Sequence, residues 1–317
     1  MKSKKNSKNK LIKNYVRDFN INTSDLENII YYMSNSGGFE SRNFVNGINI
    51  LKKMQNEKNC TKFLSFVGSI ISTGSRGLIK DMIRKKMFDC IITTCGALDH
   101  DIAKSFKKYY SGTFDVNDSE LNKKNIHRLG NIFIPSENYG QIIEEKTQNF
   151  FDEFNKICNK EFSGTELIKF IGSKLNESSF LYWAYKNDIP VIVPGIVDGA
   201  FGNQMWLFNQ QHKDFKIDIM KDQTLLSDLI FEANKTGAFM LGGGISKHHT
   251  LWWNQFRGGL DYAVYITTAN EWDGSLSGAE VKEAISWNKV KEKAKQITIH
   301  GEITTLLPIM FSLINKK

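Results

Sequence analysis

The residue types that could carry out covalent chemistry lie in the last quarter of the chain. Lys289 closely follows Trp287, and His248 lies upstream, after a triple glycine at 242–244. A lysine beside tryptophan is held where water is scarce, which lowers the cost of losing its proton and makes the neutral amine available as a nucleophile. A histidine can move protons near neutral pH. This stretch therefore indicates a nucleophile, Lys289, and a proton carrier, His248.

Glycine follows three of the apolar runs, at Gly68, Gly96 and Gly242. Backbone N–H groups at such a turn can approach a phosphate, often with a helix N-terminus behind them. None of the three turns has the GxGxxG spacing, and glycine at the carboxyl end of a strand is more often just a turn. Spacing alone is therefore only a weak sign of a dinucleotide site.

The elements that must hold these residues alternate along the chain from about Phe63 onward. Strands are predicted at 63–68, 89–94, 131–135, 190–194, 238–241, 261–267 and 296–300. Helices are predicted at 77–86, 141–159, 178–186, 224–235 and 280–287. This alternation predicts an α/β fold with a Rossmann-like, doubly wound and mostly parallel sheet, preceded by an N-terminal helical arm.

Composition divides the chain into three parts. Residues 1–14 are predicted to be a flexible basic tail, residues 15–60 an N-terminal helical arm, and residues 61–317 a single catalytic domain. The arm is interrupted at Gly37 and Gly38, where the chain can turn sharply. A helical hairpin that covers a sheet edge explains the same segment equally well.

The formal net charge of +8 at pH 7 comes from the ends of the chain, where six lysines lie in the first 13 residues and two at the C-terminus. Such a tail could touch RNA or an acidic partner. However, a lysine and asparagine run without apolar periodicity is usually a solvated arm. We therefore expect no specific nucleic-acid binding.

Three classes of protein or site are not expected from this sequence. No apolar run nears the ~20 residues that span a bilayer, and no signal-type apolar block follows the lysine-rich start, so we expect a cytoplasmic protein without a membrane segment. The four cysteines show no paired CxxC spacing. Adjacent His248 and His249 point to different faces of one element. We therefore expect neither a disulfide framework nor a metal site.

Several short motifs resemble those of the deoxyhypusine synthase family. They are the glycine triplet with Lys247-His248-His249, the run 261–269, Asp273-Gly274-Ser275 and Ser286-Trp287-Asn288-Lys289. Further matches lie at 37–44, 71–74, 93–94, 128–131, 137–139 and 198–199. The runs 98–101 and 252–254 look like the archaeal branch of the family. The resemblance covers nearly everything except the basic N-terminus.

The resemblance implies that residues 61–317 bind NAD at the strand ends. Matched residue by residue, the implied cofactor contacts are Ser69, Ser72, Thr94, Asp99, Asp198, Gly243, Thr268, Ala269 and Glu302. The family usually has aspartate where Glu302 stands, and the longer carboxylate could still reach a ribose hydroxyl.

The resemblance also implies a polyamine pocket, which needs carboxylates for ammonium groups, an aromatic face for the cationic stem and a base. The implied contacts are Asp273, Gly274, Ser275, Glu283, Trp287, His100 and Asn203, with His248 as the base. His100 stands at a glutamate position of the family, Asn203 and Leu276 at aspartate positions, and Trp252 at an asparagine position. These departures leave the identity of the amine donor open.

The activity that the resemblance implies is an NAD-dependent transfer of the aminobutyl group of spermidine. The acceptor would be one lysine of the precursor of the hypusine-bearing translation factor, and Lys289 would hold the group as an imine. The family forms homotetramers with sites at subunit interfaces. Two alternatives share much of this site: a homospermidine synthase with putrescine as acceptor, and a non-catalytic NAD-binding partner subunit. The presence of Lys289, His248 and Glu283 argues against the second.

Overall fold

A computed structural model describes residues 25–158 and 161–314, so the predicted basic tail at 1–14 and the start of the predicted arm lie outside the described residues. Six parallel strands form the main sheet. They are β1 (Cys60–Phe66), β2 (Cys90–Ile92), β7 (Val191–Ile192), β9 (Lys235–Leu241), β10 (Leu260–Thr267) and β11 (Val290–His300). Each of the six corresponds to a strand predicted from the sequence, which confirms the mostly parallel α/β fold.

The order of the strands in this sheet is β11-β10-β9-β1-β2-β7. From β1 the chain moves outward through β2 to β7, then returns to the other side of β1 and moves outward again through β9, β10 and β11. The order therefore reverses between β1 and β9, as in the doubly wound Rossmann arrangement. In such sheets a ligand-binding crevice opens at the carboxyl ends of the strands, where the order reverses.

Side chains of the central strands alternate between two hydrophobic cores, one on each face of the sheet. In β9, Phe239 and Leu241 belong to the larger core, whereas Ala238 and Met240 belong to the smaller one. Successive residues of a strand point to opposite faces, so this division shows that both faces of the sheet are covered.

The helices of the described part lie between and around these strands. They are α1 (Leu26–Ser36), α2 (Phe39–Asn56), α3 (Ser75–Arg84), α4 (Cys95–Phe106), α5 (Asp118–Lys123), α6 (Gly140–Asn155), α7 (Gly164–Lys174), α8 (Phe180–Asn187), α9 (Ala200–Gln211), α10 (Ile219–Phe231), α11 (Gly244–Asn254) and α12 (Ile303–Ile314). Helix α2 lies against β10 and β11 at close range, because a Cβ on Gly47 would come within 2.5 Å of Cδ1 of Ile299. The second helix of the predicted arm is thus part of the main core.

Two predicted elements differ from the structure. The predicted strand at 131–135 exists, but it belongs to a separate antiparallel sheet of β3 (Tyr110–Ser111), β5 (Ile132–Pro135) and β4 (Ile126–Leu129). The predicted helix at 280–287 is wrong in type, since the chain forms a short 3₁₀ turn at Val281–Ile285. Strands β6 (Glu161–Phe162) and β8 (Lys216–Ile217) form a third, two-stranded sheet.

Membrane-spanning helices and metal-binding clusters are both absent from the described residues. Among residues 25–158 and 161–314, no helix is both long and apolar enough to cross a bilayer. The same residues contain no group of three or more histidine, cysteine or acidic side chains placed to hold a metal ion.

Candidate active site

A cavity of about 170 Å³ lies beside α11, on one face of the main sheet. The segment that runs from the end of β10 to the start of β11 supplies the rest of its lining. Its lining residues are Lys247, His248, Leu251, Leu276, Ala279, Glu280, Glu283, Ala284, Trp287 and Lys289. The cavity therefore brings together four of the residues singled out from the sequence: His248, Glu283, Trp287 and Lys289.

Helix α11 supplies one wall of the cavity. His248 and Trp252 lie one turn apart on this helix, and their rings stack with centroids 5.7 Å apart. Burial lowers the pKa of His248, and the nearby Lys289 lowers it further. A neutral imidazole that can accept a proton is thus favoured at this position near neutral pH.

Lys289 lies at the end of the cavity where β11 begins. A left-handed residue, Asn288 with φ 55°, turns the chain after the 3₁₀ segment and directs the lysine into the cavity. The backbone of Lys289 is fixed on both sides, because its N–H donates to the carbonyl of Ala284 at 3.0 Å and its carbonyl accepts from the N–H of Leu260 at 3.1 Å. Its Nζ lies 5.1 Å from the centre of the Trp287 ring.

The aromatic side chain next to Lys289 does not seclude it from water in a single chain. Trp287 is 63% exposed, and the side chain of Glu283 is also exposed. The sequence led us to expect a lysine held where water is scarce. In the isolated chain the cavity is instead open to solvent on the Trp287 side.

Lys247 is the buried lysine of the cavity, with 2% of its surface exposed. Its Nζ donates to the carbonyl of Leu276 at 2.8 Å and also to the carbonyl of Ala279. On its other side it lies 4.0 Å from the centre of the Tyr265 ring. Burial lowers the pKa of Lys247 to about 8, although the charge of Glu283 opposes this shift.

Two carboxylates line the cavity, and they differ in their neighbours. Glu280 forms an ion pair with Lys282 and lies 3.5 Å from Nε2 of His300. The ion pairs found among residues 25–158 and 161–314 do not include Glu283. Glu283 is therefore the carboxylate of the cavity that is best able to receive an ammonium group.

The other residues expected at the amine lie outside this cavity. Asp273, Gly274 and Ser275 form an exposed turn, in which Oδ1 of Asp273 accepts from the N–H of Ser275 at 2.7 Å. His100 is buried on α4, with its Nδ1 3.0 Å from the hydroxyl of Tyr109. Asn203 is exposed on α9, so these five residues do not meet Lys289 within one chain.

The residues expected to bind the cofactor all follow the carboxyl ends of the main strands. Ser69 and Ser72 follow β1, Thr94 and Asp99 follow β2, Asp198 follows β7, Gly243 follows β9, Thr268 and Ala269 follow β10, and Glu302 follows β11. Because the strands are parallel, these positions lie along a single edge of the sheet. The loops after β1 and β9 flank the point where the strand order reverses.

Several of these residues, among them Thr94 and Asp99, hold the backbone through their side chains. Oγ1 of Thr94 accepts from the N–H of Gly68 at 3.0 Å. The buried carboxylate of Asp99 accepts from the N–H groups of Ala200 and Phe201 at the start of α9. Burial raises the pKa of Asp99, although these bonds oppose the rise. These side chains therefore shape the crevice by positioning its loops.

Glu302 holds the start of α12 in a similar way. Its carboxylate accepts from the N–H groups of Thr304 and Thr305, both at 2.9 Å. Burial tends to raise the pKa of Glu302, but hydrogen bonds from both threonines outweigh it and lower the pKa. Its carboxylate is thus committed to a helix cap.

The turn after β9 passes close to a neighbouring loop and leads directly into a helix. Gly242 and Gly244 have φ values of +77° and +71°, and Gly243 comes so close to the next loop that a Cβ would lie 2.4 Å from Cα of Ser277. Helix α11 begins directly after this turn, with no side-chain hydrogen bond capping its first N–H groups. Free N–H groups at a helix start beside a strand-order reversal fit a pyrophosphate.

Lys247, Leu251 and Ala279 also line the cavity, although the sequence did not assign them to the amine site. Leu251 and Trp252 follow His248 at helical spacing, and this period was a usable signal. Leu276 and Ala279 lie in an irregular loop, for which no periodic signal exists.

Several known proteins resemble this chain over nearly all of its length. The deoxyhypusine synthase family model matches residues 28–314. A relative from Thermoplasma volcanium described as "Probable deoxyhypusine synthase" is 53% identical, over 95% of this chain and 97% of its own length. Relatives with the same description from Picrophilus torridus and Sulfolobus acidocaldarius are 51% and 47% identical, each over at least 95% of this chain and of their own length.

Among solved structures, a protein from Entamoeba histolytica described as "a putative deoxyhypusine synthase" superimposes with a TM-score of 0.64 at 23% identity, over 95% of this chain and 96% of that one. This likeness supports the fold. The family model and the archaeal relatives each cover nearly all of the chain, and they decide the family. The chain belongs to the deoxyhypusine synthase family, whose members are NAD-dependent aminobutyl transferases.

Proposed function

We propose that this protein transfers the aminobutyl group of spermidine, or of a related amine, to one lysine of the precursor of the hypusine-bearing translation factor. The observation that carries the proposal is the shared cavity of His248, Glu283, Trp287 and Lys289. This transfer needs an amine nucleophile, a proton carrier, an aromatic face and a carboxylate, and the cavity contains all four.

NAD is the cofactor in this proposal, held in the crevice between the loops after β1 and β9. The crevice would be lined by Ser69, Ser72, Thr268 and Ala269, with Asp198 at its β7 side. The turn at Gly243 and the start of α11 would face the pyrophosphate, while Thr94, Asp99 and Glu302 would hold the loops around it. When bound, NAD supplies a group that takes a hydride from the amine and later returns one.

The cavity residues have separate roles in this scheme. Glu283 pairs with the ammonium end of the amine, and the Trp287 ring covers the aliphatic stem. His248 accepts the proton that the secondary amine must lose before its carbon can be oxidised.

Lys289 would carry the aminobutyl group covalently. Its neutral amine attacks the imine carbon of the oxidised substrate, and the carbon–nitrogen bond to the departing 1,3-diaminopropane breaks. The substrate lysine then displaces Lys289 by the same exchange. Each exchange replaces one C=N bond by another, so water is not a reactant. Because an imine exposed to water hydrolyses, the cavity must exclude water while the aminobutyl group is held on Lys289.

We further propose that the protein works as a homotetramer in the cytoplasm, where the precursor protein would be met. The exposed aromatic side chains around the cavity support an assembly, because Trp252, Trp272 and Trp287 are 43%, 85% and 63% exposed in a single chain. The separation of Asp273, His100 and Asn203 from Lys289 is a second reason. A neighbouring subunit would both cover the Trp287 side and bring further polar groups to the amine.

The test is an assay with spermidine labelled in its aminobutyl part, NAD and either purified precursor protein or putrescine. Label in the precursor protein supports the proposal. Label only in homospermidine would assign the chain to the alternative activity. No transfer to either acceptor, with intact NAD binding, would indicate a partner subunit without its own activity.

A further inference from the structure

Two lysines in this fold donate to backbone carbonyls of loops that border the candidate site. The first is Lys104 on α4, which is half-buried. Its Nζ donates to the carbonyls of Ile71, Ser72 and Thr73, at 3.0, 2.9 and 2.7 Å. These carbonyls end the 3₁₀ turn at Gly68–Ser72, which follows β1 and forms one wall of the crevice.

The second is Lys247 on α11, which binds the carbonyls of Leu276 and Ala279. The carbonyl between them, that of Ser277, accepts from the hydroxyl of Tyr265 at 2.7 Å and from that of Thr267 at 3.0 Å. Hydrogen bonds to these three carbonyls thus fix the loop at 276–279, and its residues Leu276 and Ala279 line the amine cavity.

Neither lysine belongs to the ion pairs found among residues 25–158 and 161–314. Burial is the main cause that lowers the pKa of each to about 8, and the charge of Arg76 adds to it for Lys104. Burying an ammonium group costs free energy unless its N–H groups donate hydrogen bonds. Lys104 donates to three main-chain carbonyls, whereas Lys247 donates to two and lies over the Tyr265 ring. Removing either lysine would leave these carbonyls without that donor.

We propose that Lys104 and Lys247 are positioning residues for the two walls of the site. Lys104 sets the loop after β1 against the cofactor, and Lys247 sets the loop at 276–279 against the amine. The inference rests on the proposed function, because it assigns one substrate to each wall. It also gives Lys247 a task other than nucleophilic attack, since its Nζ donates to the carbonyls of Leu276 and Ala279.

The experiment compares Lys104→Met with Lys247→Met in the full-length protein. Methionine keeps an unbranched side chain of similar length but cannot donate. Lys104→Met is expected to raise the KM for NAD about tenfold and to change the KM for spermidine little; Lys247→Met is expected to do the reverse. Each variant is thus the matched control of the other.

A second readout is independent of activity. Hydrogen exchange should become faster in the peptide around Thr73 for Lys104→Met, and in the peptide around Gly278 and Ala279 for Lys247→Met. Equal changes of both KM values in both variants, or unchanged exchange in the two loops, would overturn the inference.

Further measurements cover two cases, a variant that fails to fold and a protein that oxidises no amine. If Lys247→Met fails to fold, Tyr265→Phe removes one donor from the same loop and should shift the KM for spermidine in the same direction. If Lys104→Met fails to fold, Lys104→Gln keeps a shorter side chain with two N–H donors in place of three and should still raise the KM for NAD, by less than the methionine variant. If wild-type protein binds NAD but oxidises no amine, the proposed function fails, whereas the exchange readout still tests the anchoring by each lysine.

Discussion

Nζ of Lys289 lies 5.3 Å from the centre of the Trp252 ring, so the lysine before β11 contacts an aromatic side chain from the second half of α11. This contact joins two residues that are 37 positions apart in sequence. A cation over an indole face is attracted to it, which holds the amine near His248 on the preceding turn. The proposed nucleophile and the proposed base are therefore oriented by the same tryptophan.

The covalent role of Lys289 can be separated from binding. Arginine at this position keeps the charge but stays protonated, so it cannot attack a carbon. Lys289→Arg should still bind NAD and spermidine, yet form no borohydride-trappable adduct and give almost no transfer. Trapping followed by peptide mapping should label Lys289 in the wild-type protein. Label on Lys247 would make the buried lysine the nucleophile.

Glu283 should matter for the amine and not for the cofactor. Glu283→Gln is expected to raise the KM for spermidine roughly ten- to a hundredfold, because a charge-assisted contact is worth about 1.5–3 kcal/mol. The KM for NAD should stay the same. Glu292→Gln, at an exposed position on β11, is the control and should change neither value. Equal effects of Glu283→Gln on both substrates would remove this residue from the amine site.

His248 should act at the oxidation step. His248→Ala is expected to slow NAD reduction by spermidine, measured by absorbance without acceptor protein, by about 10²–10⁴-fold. Normal reduction with slow transfer would place the histidine later in the cycle.

The close approach of Gly243 to the loop at Ser277 predicts a large effect from a small change. Gly243→Ala would place a methyl group 2.4 Å from a backbone atom, so the loop must move. We expect a lower melting temperature and weaker NAD binding. Gly74→Ala is the control, because nothing lies within 4 Å of its Cβ position, and it should leave both unchanged. A Gly243→Ala protein as stable as the wild type would contradict the tight contact.

Acid should destabilise the fold through His100. Burial lowers the pKa of this histidine from 6.5 to about 4, so between these values the unfolded chain binds more protons than the folded chain. Stability therefore falls as the pH falls from 6.5 to 4, by up to about 3 kcal/mol from this group. In urea unfolding, His100→Gln should show a smaller fall than the wild type. His127→Gln, at an exposed position, should follow the wild type.

The main sheet was predictable because its strands are short apolar runs followed by turn residues. Glycine after 63–67 and after 238–241 marks strand ends that the structure confirms. The segment at 280–287 was mistaken for an α-helix because Val281 and Ala284, three residues apart, fit a 3₁₀ turn as well as a helix.

The candidate site was only partly predictable, for a different reason. The positions of Lys289 and His248 follow from their motifs, but the exposure of Trp287 and the burial of His100 depend on long-range packing. A motif names the residue types of a site. It does not say which of them face the same cavity.

The pairing of β10 with β11 is interrupted just after Lys289. Leu260 lies opposite Val290, whereas Tyr262 lies opposite Lys295, so β11 bulges out between these pairs. A bulge can absorb a change in length, which in a regular ladder would turn every later side chain to the other face. Insertions and deletions at 291–294 should therefore be tolerated during evolution, because Lys289 keeps its backbone contacts on one side of the bulge while the core on the other side stays in register.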